Sequence, residues 1–240
     1  MEHLKLLFTK DGLQHQLCRG KNVTSERTLV WNDEETAEAR AAHLAEIVGT
    51  KGLKKISVIS ALNHFTMMPA GFKEHELGLD LIALNAPVDK KQEQLMLAIN
   101  KKFDVQFYYA FPNAFYEVIK KPEIPASFNF SGEQFLNSIR TRNQKEIHIN
   151  LYGQQCEFVA LDRRKVTLYN NLDVSSEVDF LYFIMFTISK IGFGLNETQF
   201  YVYGETTENE TFISELRKFV KKLKIVFDNI PQKNFILNIK

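Results

Sequence analysis

Glu146–Leu172 reads EIHINLYGQQCEFVALDRRKVTLYNNL, and the fold is decided here. Period-two patterning predicts a strand over Glu146–Leu151, a turn at Tyr152-Gly153-Gln154, and a second strand over Gln155–Leu161. Asp162-Arg163-Arg164 turns again into a third strand, Lys165–Leu172. Three strands joined by such short turns form an antiparallel meander. Outward toward the C-terminus, a helix covers Ser176–Ile191 and is closed by Gly192 and Gly194. A buried strand Phe200–Tyr203, a helix Glu210–Lys222 and a strand Lys224–Phe227 complete the set.

The same succession opens the chain. Leu4–Thr9 and Leu13–Cys18 read as strands around a turn at Asp11-Gly12, and Gly20-Lys21-Asn22 leads into a third strand, Val23–Trp31. Asn32 or Asp33 can cap a helix over Glu34–Val48 ended by Gly49, and Lys55–Ser60 is a buried strand. A crossover helix places its following strand parallel to the meander, so each copy predicts a mixed sheet. Two copies of one order point to a duplicated unit. Between them, Glu74–Asn85 and Lys90–Lys101 read as helices separated by Pro87. Val105–Phe111 is an aromatic strand, a helix runs from Pro112-Asn113 to Lys120, Ser127–Phe130 is extended, and Gln134–Thr141 is helical. The polar run Arg142-Asn143-Gln144-Lys145 marks a boundary, giving domains 1–144 and 145–240. Phe107, Tyr108, Tyr109, Phe111, Phe115 and Tyr116 are expected mostly in the core, with one strand face at most exposed.

Composition excludes several function classes. The 240 residues carry 30 basic and 29 acidic side chains, a net charge of +1, so nucleic acid and anionic lipid are not favoured partners. Phenylalanine is abundant at 20, glycine scarce at 11. No two glycines stand four or five positions apart, which excludes a G-x-S-x-G elbow and a G-x-x-x-x-G-K phosphate loop. After Gly192-Phe193-Gly194 the dinucleotide fingerprint fails at Glu197. Cys18 and Cys156 are too far apart in sequence for a two-cysteine metal motif and read as buried thiols. His3, His15, His43, His64, His75 and His148 include no H-E-x-x-H pair and read as isolated polar residues. Val178–Gly194 is the most apolar segment, too short and interrupted for a membrane span, and predicts a buried helix. The apolar run at the N-terminus ends at Phe8, too short for a secretory signal, so a cytoplasmic location is expected. Arg217, Lys218, Lys221, Lys222 and Lys224 read as the solvated face of one helix opposite Leu216, Phe219, Val220 and Leu223.

The stretch Phe111-Pro112-Asn113-Ala114-Phe115-Tyr116, the meander ending in Tyr169-Asn170-Asn171, the helix start Asp179-Phe180-Leu181-Tyr182-Phe183 and the strand Tyr201-Val202-Tyr203-Gly204-Glu205 resemble the DUF3822 family of Bacteroidetes proteins. That resemblance, with the duplicated order, implies an α/β fold of two ribonuclease H-like (actin-like ATPase) domains, each a mixed five-stranded sheet of order βββαβ(α)β flanked by helices. Active members of the wider superfamily open each half with a strand Asp and a glycine-rich turn, because backbone N–H groups must approach phosphates and the carboxylate must orient hydrated Mg²⁺. Here Asn150 stands in place of the Asp, and Gly153 alone remains of the turn glycines, next to Tyr152. The first half has Thr9-Lys10-Asp11-Gly12 and no strand carboxylate. The adenosine-contacting glycine pair is reduced to Gly204-Glu205. Asn150, Tyr152, Gly153, Gly204 and Glu205 are therefore the residues expected to line a vestigial cleft.

These departures predict a pseudo-ATPase: a catalytically inactive, actin-like module with no catalytic residues, no metal site and no required cofactor, acting through an unidentified protein partner. Two alternatives carry their own tests. One is an ATPase or kinase-like enzyme that binds ATP and Mg²⁺ in a divergent phosphate site, and the other a nucleic-acid-binding protein using the Arg217–Lys224 face. Two-metal nuclease chemistry is not expected, since Asp162 falls in a turn and Asp179 near a helix start, where capping accounts for it.

Overall fold

Short turn sequences between apolar runs fold the first residues into the expected meander. β1 (Glu2–Thr9), β2 (Gly12–Arg19) and β3 (Asn22–Val30) pair antiparallel in succession. The structure, a computed structural model, describes residues 2–32, 34–204, 210–226 and 235–239. Helix α1 (Ala37–Val48) leads to β4 (Leu53–Ser60), which lies parallel to β1. The helix cap is Thr36, whose hydroxyl accepts from the Ala39 N–H at 3.3 Å, rather than Asn32, whose side chain orders the preceding loop by accepting from the Glu34 N–H. Asp33 lies outside the described residues. Gly49 ends the helix, its N–H donating to the Ala45 carbonyl at 2.9 Å.

The next elements depart from the expectation. β5 (Phe65–Pro69), a single 3₁₀ turn at His75–Leu77, α2 (Gly78–Ala83), β6 (Glu93–Asn100), β7 (Val105–Pro112) and α3 (Asn113–Lys120) precede β8 (Ala126–Phe130). The segment 90–101, expected to be helical, contains β6, antiparallel to β7 with Leu97 opposite Tyr108 and Ala98 opposite Phe107. Its Lys, Gln, Glu, Leu and Met residues favour helix by propensity. A buried aromatic strand must nevertheless pair its backbone N–H and C=O groups along both edges, and that requirement prevails. β5 supplies the other edge, so the insertion forms a separate sheet of order β5-β7-β6. The helix expected over 74–85 shrinks to the 3₁₀ turn and α2, which meets β6 so closely that a Cβ on Gly78 would stand 2.4 Å from Leu95.

Three of the 20 phenylalanines, Phe65, Phe107 and Phe111, lie in this sheet. Phe107, Tyr108, Tyr109 and Phe111 of β7 are all buried, so neither face of the strand is exposed. Tyr108 packs with Ile82 of α2 on one side. On the other, Phe130 meets Phe107 at 5.1 Å and Tyr109 at 5.3 Å, while Phe111 meets Phe8 edge-on at 5.3 Å. Aromatic pairs of this kind contribute about 0.5–1.5 kcal/mol each beyond their buried area.

The chain divides into two compact units, Met1–Gln134 and Phe135–Lys240. The division falls inside α4 (Ser131–Ser138), ahead of the polar run at 142–145. Glu133 is tied to the first unit, its carbonyl accepting from Asn100 Nδ2 at 3.2 Å, whereas Phe135 packs edge-on against Tyr203 of the second.

The second unit contains β9 (Lys145–Tyr152), β10 (Gln155–Asp162), β11 (Lys165–Asp173), α5 (Glu177–Lys190), β12 (Gln199–Gly204), α6 (Glu210–Arg217), β13 (Leu223–Ile225) and α7 (Phe235–Asn238). Its sheet order, β11-β10-β9-β12-β13, repeats the β3-β2-β1-β4-β8 of the first unit, with the last two strands parallel to the central one. The expected duplication is therefore present strand for strand. One sheet face, with Ile147, Ile149, Phe158, Phe200 and Val202, packs on Phe180, Ile184 and Ile188 of α5. Ser176 caps α5 by accepting from the Asp179 N–H, and Asp179 accepts in turn from Ser175, so the capping role expected of Asp179 holds.

Two further expectations need correction. α5 is buried on one stripe only: Val178, Tyr182 and Phe186, four residues apart, are 74%, 61% and 47% exposed. Apolar residues all round a helix do not bury it when only one face meets the sheet. The basic residues at 217–224 do not share a helix, because α6 ends at Arg217 and Lys224 belongs to β13. Their spacing is helical, but β13 must extend to pair with β12. Phe227 lies outside the described residues. Among the described residues no helix is long and apolar enough to cross a membrane.

Candidate functional site

Hairpin geometry positions the candidate residues. The β9–β10 connection is the two-residue loop Gly153-Gln154, and Gly153 has φ = 51°, the left-handed conformation that such a tight turn demands of glycine. Asn150, on the strand leading into the turn, is fully buried, and its Nδ2 donates to Glu157 Oε2 at 2.8 Å across the β9–β10 pair. Glu157 Oε1 accepts from the Tyr169 hydroxyl at 2.8 Å. Both carboxylate oxygens are thus held by side chains of this same sheet, while Asn150 Oδ1 is buried without a hydrogen-bond partner. Tyr152 is buried, its hydroxyl accepting from Asn171 Nδ2 at 3.3 Å.

Gly204 ends β12 beside Leu151, with φ = 90°. A Cβ there would stand 2.0 Å from the Leu151 carbonyl oxygen and 2.8 Å from Asn150 Oδ1. Strand contact within the sheet alone therefore requires glycine here. The structure brings Asn150, Tyr152, Gly153 and Gly204 to one end of the second sheet; Glu205 lies outside the described residues. In the first unit, Gly12 has a similar duty, since a Cβ there would meet the Leu29 carbonyl oxygen of β3 at 2.1 Å. Thr9 is buried and donates from its hydroxyl to the Gly12 carbonyl at 3.2 Å.

Charge around the second turn is acidic. Asp173 pairs with Gln155 beside it, and Glu177 and Asp179 stand in the first turn of α5. Neither Glu146–Asp162 nor Val166–Ser189 contains a lysine or arginine.

The wider polar face was not singled out from sequence. Glu146, His148, Asn150 and Glu157 are all buried on the side of the sheet opposite the apolar core. His148 Nδ1 lies 3.0 Å from the Tyr203 hydroxyl and its Nε2 3.4 Å from Glu146 Oε2, and its ring stacks on Tyr201 at 4.7 Å. Burial, and after it Tyr201 and Glu146, raises the pKa of Tyr203. Burial chiefly, then Glu157, raises that of Cys156, which leaves its thiol protonated and unreactive. The readable signal was the polar residue at every second position of β9, on a strand whose intervening residues are apolar. Cys18 is likewise a buried free thiol. Among the described residues no group of three or more His, Cys, Asp or Glu could hold a metal ion.

Two mixed five-stranded sheets of one order, each opening on a meander hairpin, define the actin-like ATPase fold. A protein from Bacteroides thetaiotaomicron with that fold and unknown function superposes with a TM-score of 0.78 at 19% identity, over 99% of this chain and 94% of that one. The sequence matches the family described as Protein of unknown function (DUF3822) over residues 3–223, and the chain belongs to that family. The PilM–PilN type IV pilus biogenesis complex gives a TM-score of 0.58 at 14% identity, covering 94% of this chain and 88% of that one. The cytoplasmic domain of EpsL, an inner membrane component of the type II secretion system of Vibrio cholerae, gives 0.51 at 8% identity, covering 100% and 92%. No curated protein matches the sequence.

Proposed function

We propose that this chain is a cytoplasmic, non-catalytic actin-like module that acts through protein contacts. The observation that carries the reading is the Asn150–Glu157–Tyr169 network. The residue at the metal-orienting position is a neutral amide, and the carboxylate beside it has both oxygens held internally. A Mg²⁺–nucleotide needs a free carboxylate near hydrated metal, several exposed N–H groups and a field that tolerates phosphate. The second-unit turn offers one glycine and acidic neighbours, and the first-unit strand ends in a buried threonine in place of a carboxylate. These residues do not fit the group.

Two observations support the contact role. Tyr182 and Phe186 stack on the solvent side of α5 at 5.7 Å, with Lys190 over the Phe186 ring, forming an aromatic stripe of the sort found at protein interfaces. Two of the similar folds, PilM–PilN and EpsL, are named as parts of multiprotein assemblies.

The test is phosphate release from ATP and GTP with Mg²⁺, together with thermal melts in the presence of each nucleotide. The expected outcome is no turnover, and none gained by Asn150→Asp, which places a second carboxylate against Glu157 and lowers stability. Turnover by the wild-type protein that Asn150→Ala abolishes would overturn the reading.

A further inference from the structure

After α4 the chain carries two arginines, Arg140 and Arg142, on the way to β9. They line a cavity of about 660 Å³ in the second unit together with Lys224 of β13, the Tyr201 and Tyr203 rings of β12, and Phe235 of α7. Most basic residues on a protein surface face solvent singly. Here three converge on one concavity, and none of the three side chains makes an ion pair or hydrogen bond among the described residues.

Glu146 is not among the residues that line the cavity. Glu146 is fully buried in the sheet and accepts from the Arg142 backbone N–H at 3.3 Å, from Gln144 Nε2 at 3.2 Å and lies against His148. It holds the arginine-bearing segment in place. The Gln144 carbonyl accepts from the Arg163 N–H at 3.1 Å, a second tether. Among the described lining residues there is no Asp or Glu. The charged groups on the described lining residues are all cationic, and Arg142 partly offsets the rise that burial and, after it, Glu146 impose on the Tyr201 pKa.

We propose that this cavity binds a small molecule bearing a multiply charged oxyanion, phosphate or carboxylate, on a partly apolar body. Guanidinium groups bind such oxygens in bidentate fashion, and Lys224 adds a point charge. Tyr201, Val226 and Phe235 supply the apolar wall, and the volume suits a small ligand. The role proposed is recognition, through charge and the apolar wall.

Calorimetric titration of the full chain with pyrophosphate and, separately, with citrate tests the proposal. Saturable one-to-one binding of at least one probe is expected, weakened about tenfold or more by Arg140→Ala/Arg142→Ala. The control Arg163→Ala/Arg164→Ala, on the neighbouring turn, should leave it unchanged. Tighter pyrophosphate binding assigns a phosphate source, tighter citrate binding a carboxylate one. All substituted arginines are solvent-exposed, and unchanged melting of both variants checks the fold. No binding at millimolar probe, or equal weakening in both variants, would overturn the proposal, the latter because it would mean diffuse charge attraction. Because the probes lack a nucleoside and the arginines lie outside both hairpin turns, that failure would leave the non-catalytic reading untouched.

Discussion

Gly204 shows how one residue type can answer two different demands. A glycine can let backbone approach a ligand, or another strand; in this chain the Leu151 carbonyl oxygen is already 2.0 Å from the place a Cβ would take. Gly204→Ala combines that clash with a positive φ, so it should destabilise the protein by about 2 kcal/mol or more, measured by chemical denaturation. Arg163 and Arg164 present the reverse case. Both hold positive φ, 47° and 73°, in the two-residue β10–β11 turn, where Asn-Gly is the favoured pair. Arg163→Asn/Arg164→Gly should raise stability by about 1–2 kcal/mol, read from the denaturation midpoint at unchanged slope. The sequence showed a turn at 162–164 but could not show that its residues were strained, since strain depends on the register of the strands that the turn joins.

At the scale of elements, β6 and α5 teach the same lesson in opposite directions. β6 has helical propensity and becomes a strand, because β7 needs a second edge partner. α5 has an apolar circumference and exposes one stripe of it, because a single sheet face lies on one side only. Substitution should separate the two faces of α5: Phe180→Ala should cost about 3–5 kcal/mol through the cavity it opens, and Phe186→Ala should change stability by less than about 0.5 kcal/mol. Equal costs in thermal or chemical unfolding would mean that the outer stripe is not solvent-facing. The polar face of β9 belongs at this scale too. Glu146, His148 and Asn150 alternate as an ordinary half-exposed strand would, and only burial of both sheet faces turns that pattern into an internal hydrogen-bond network.

For the whole molecule, local chemistry in the chain determined a great deal. Turn residues at 11–12, 20–22, 152–154 and 162–164, the glycines that end the helices and the period of the apolar residues specified two copies of one strand order, because these signals act over a few neighbouring residues. The missing glycines and the Asn at position 150 were legible for the same reason. Tertiary structure alone decided what required distant partners. The inserted three-stranded sheet, the packing duty of Gly204 and the convergence of Arg140, Arg142 and Lys224 on one cavity join residues far apart in the chain, and the capture of Glu157 by Asn150 and Tyr169 needs the register of three paired strands. Their free energy comes from backbone pairing, burial and convergent charge, and none of these exists until the strands have found their neighbours.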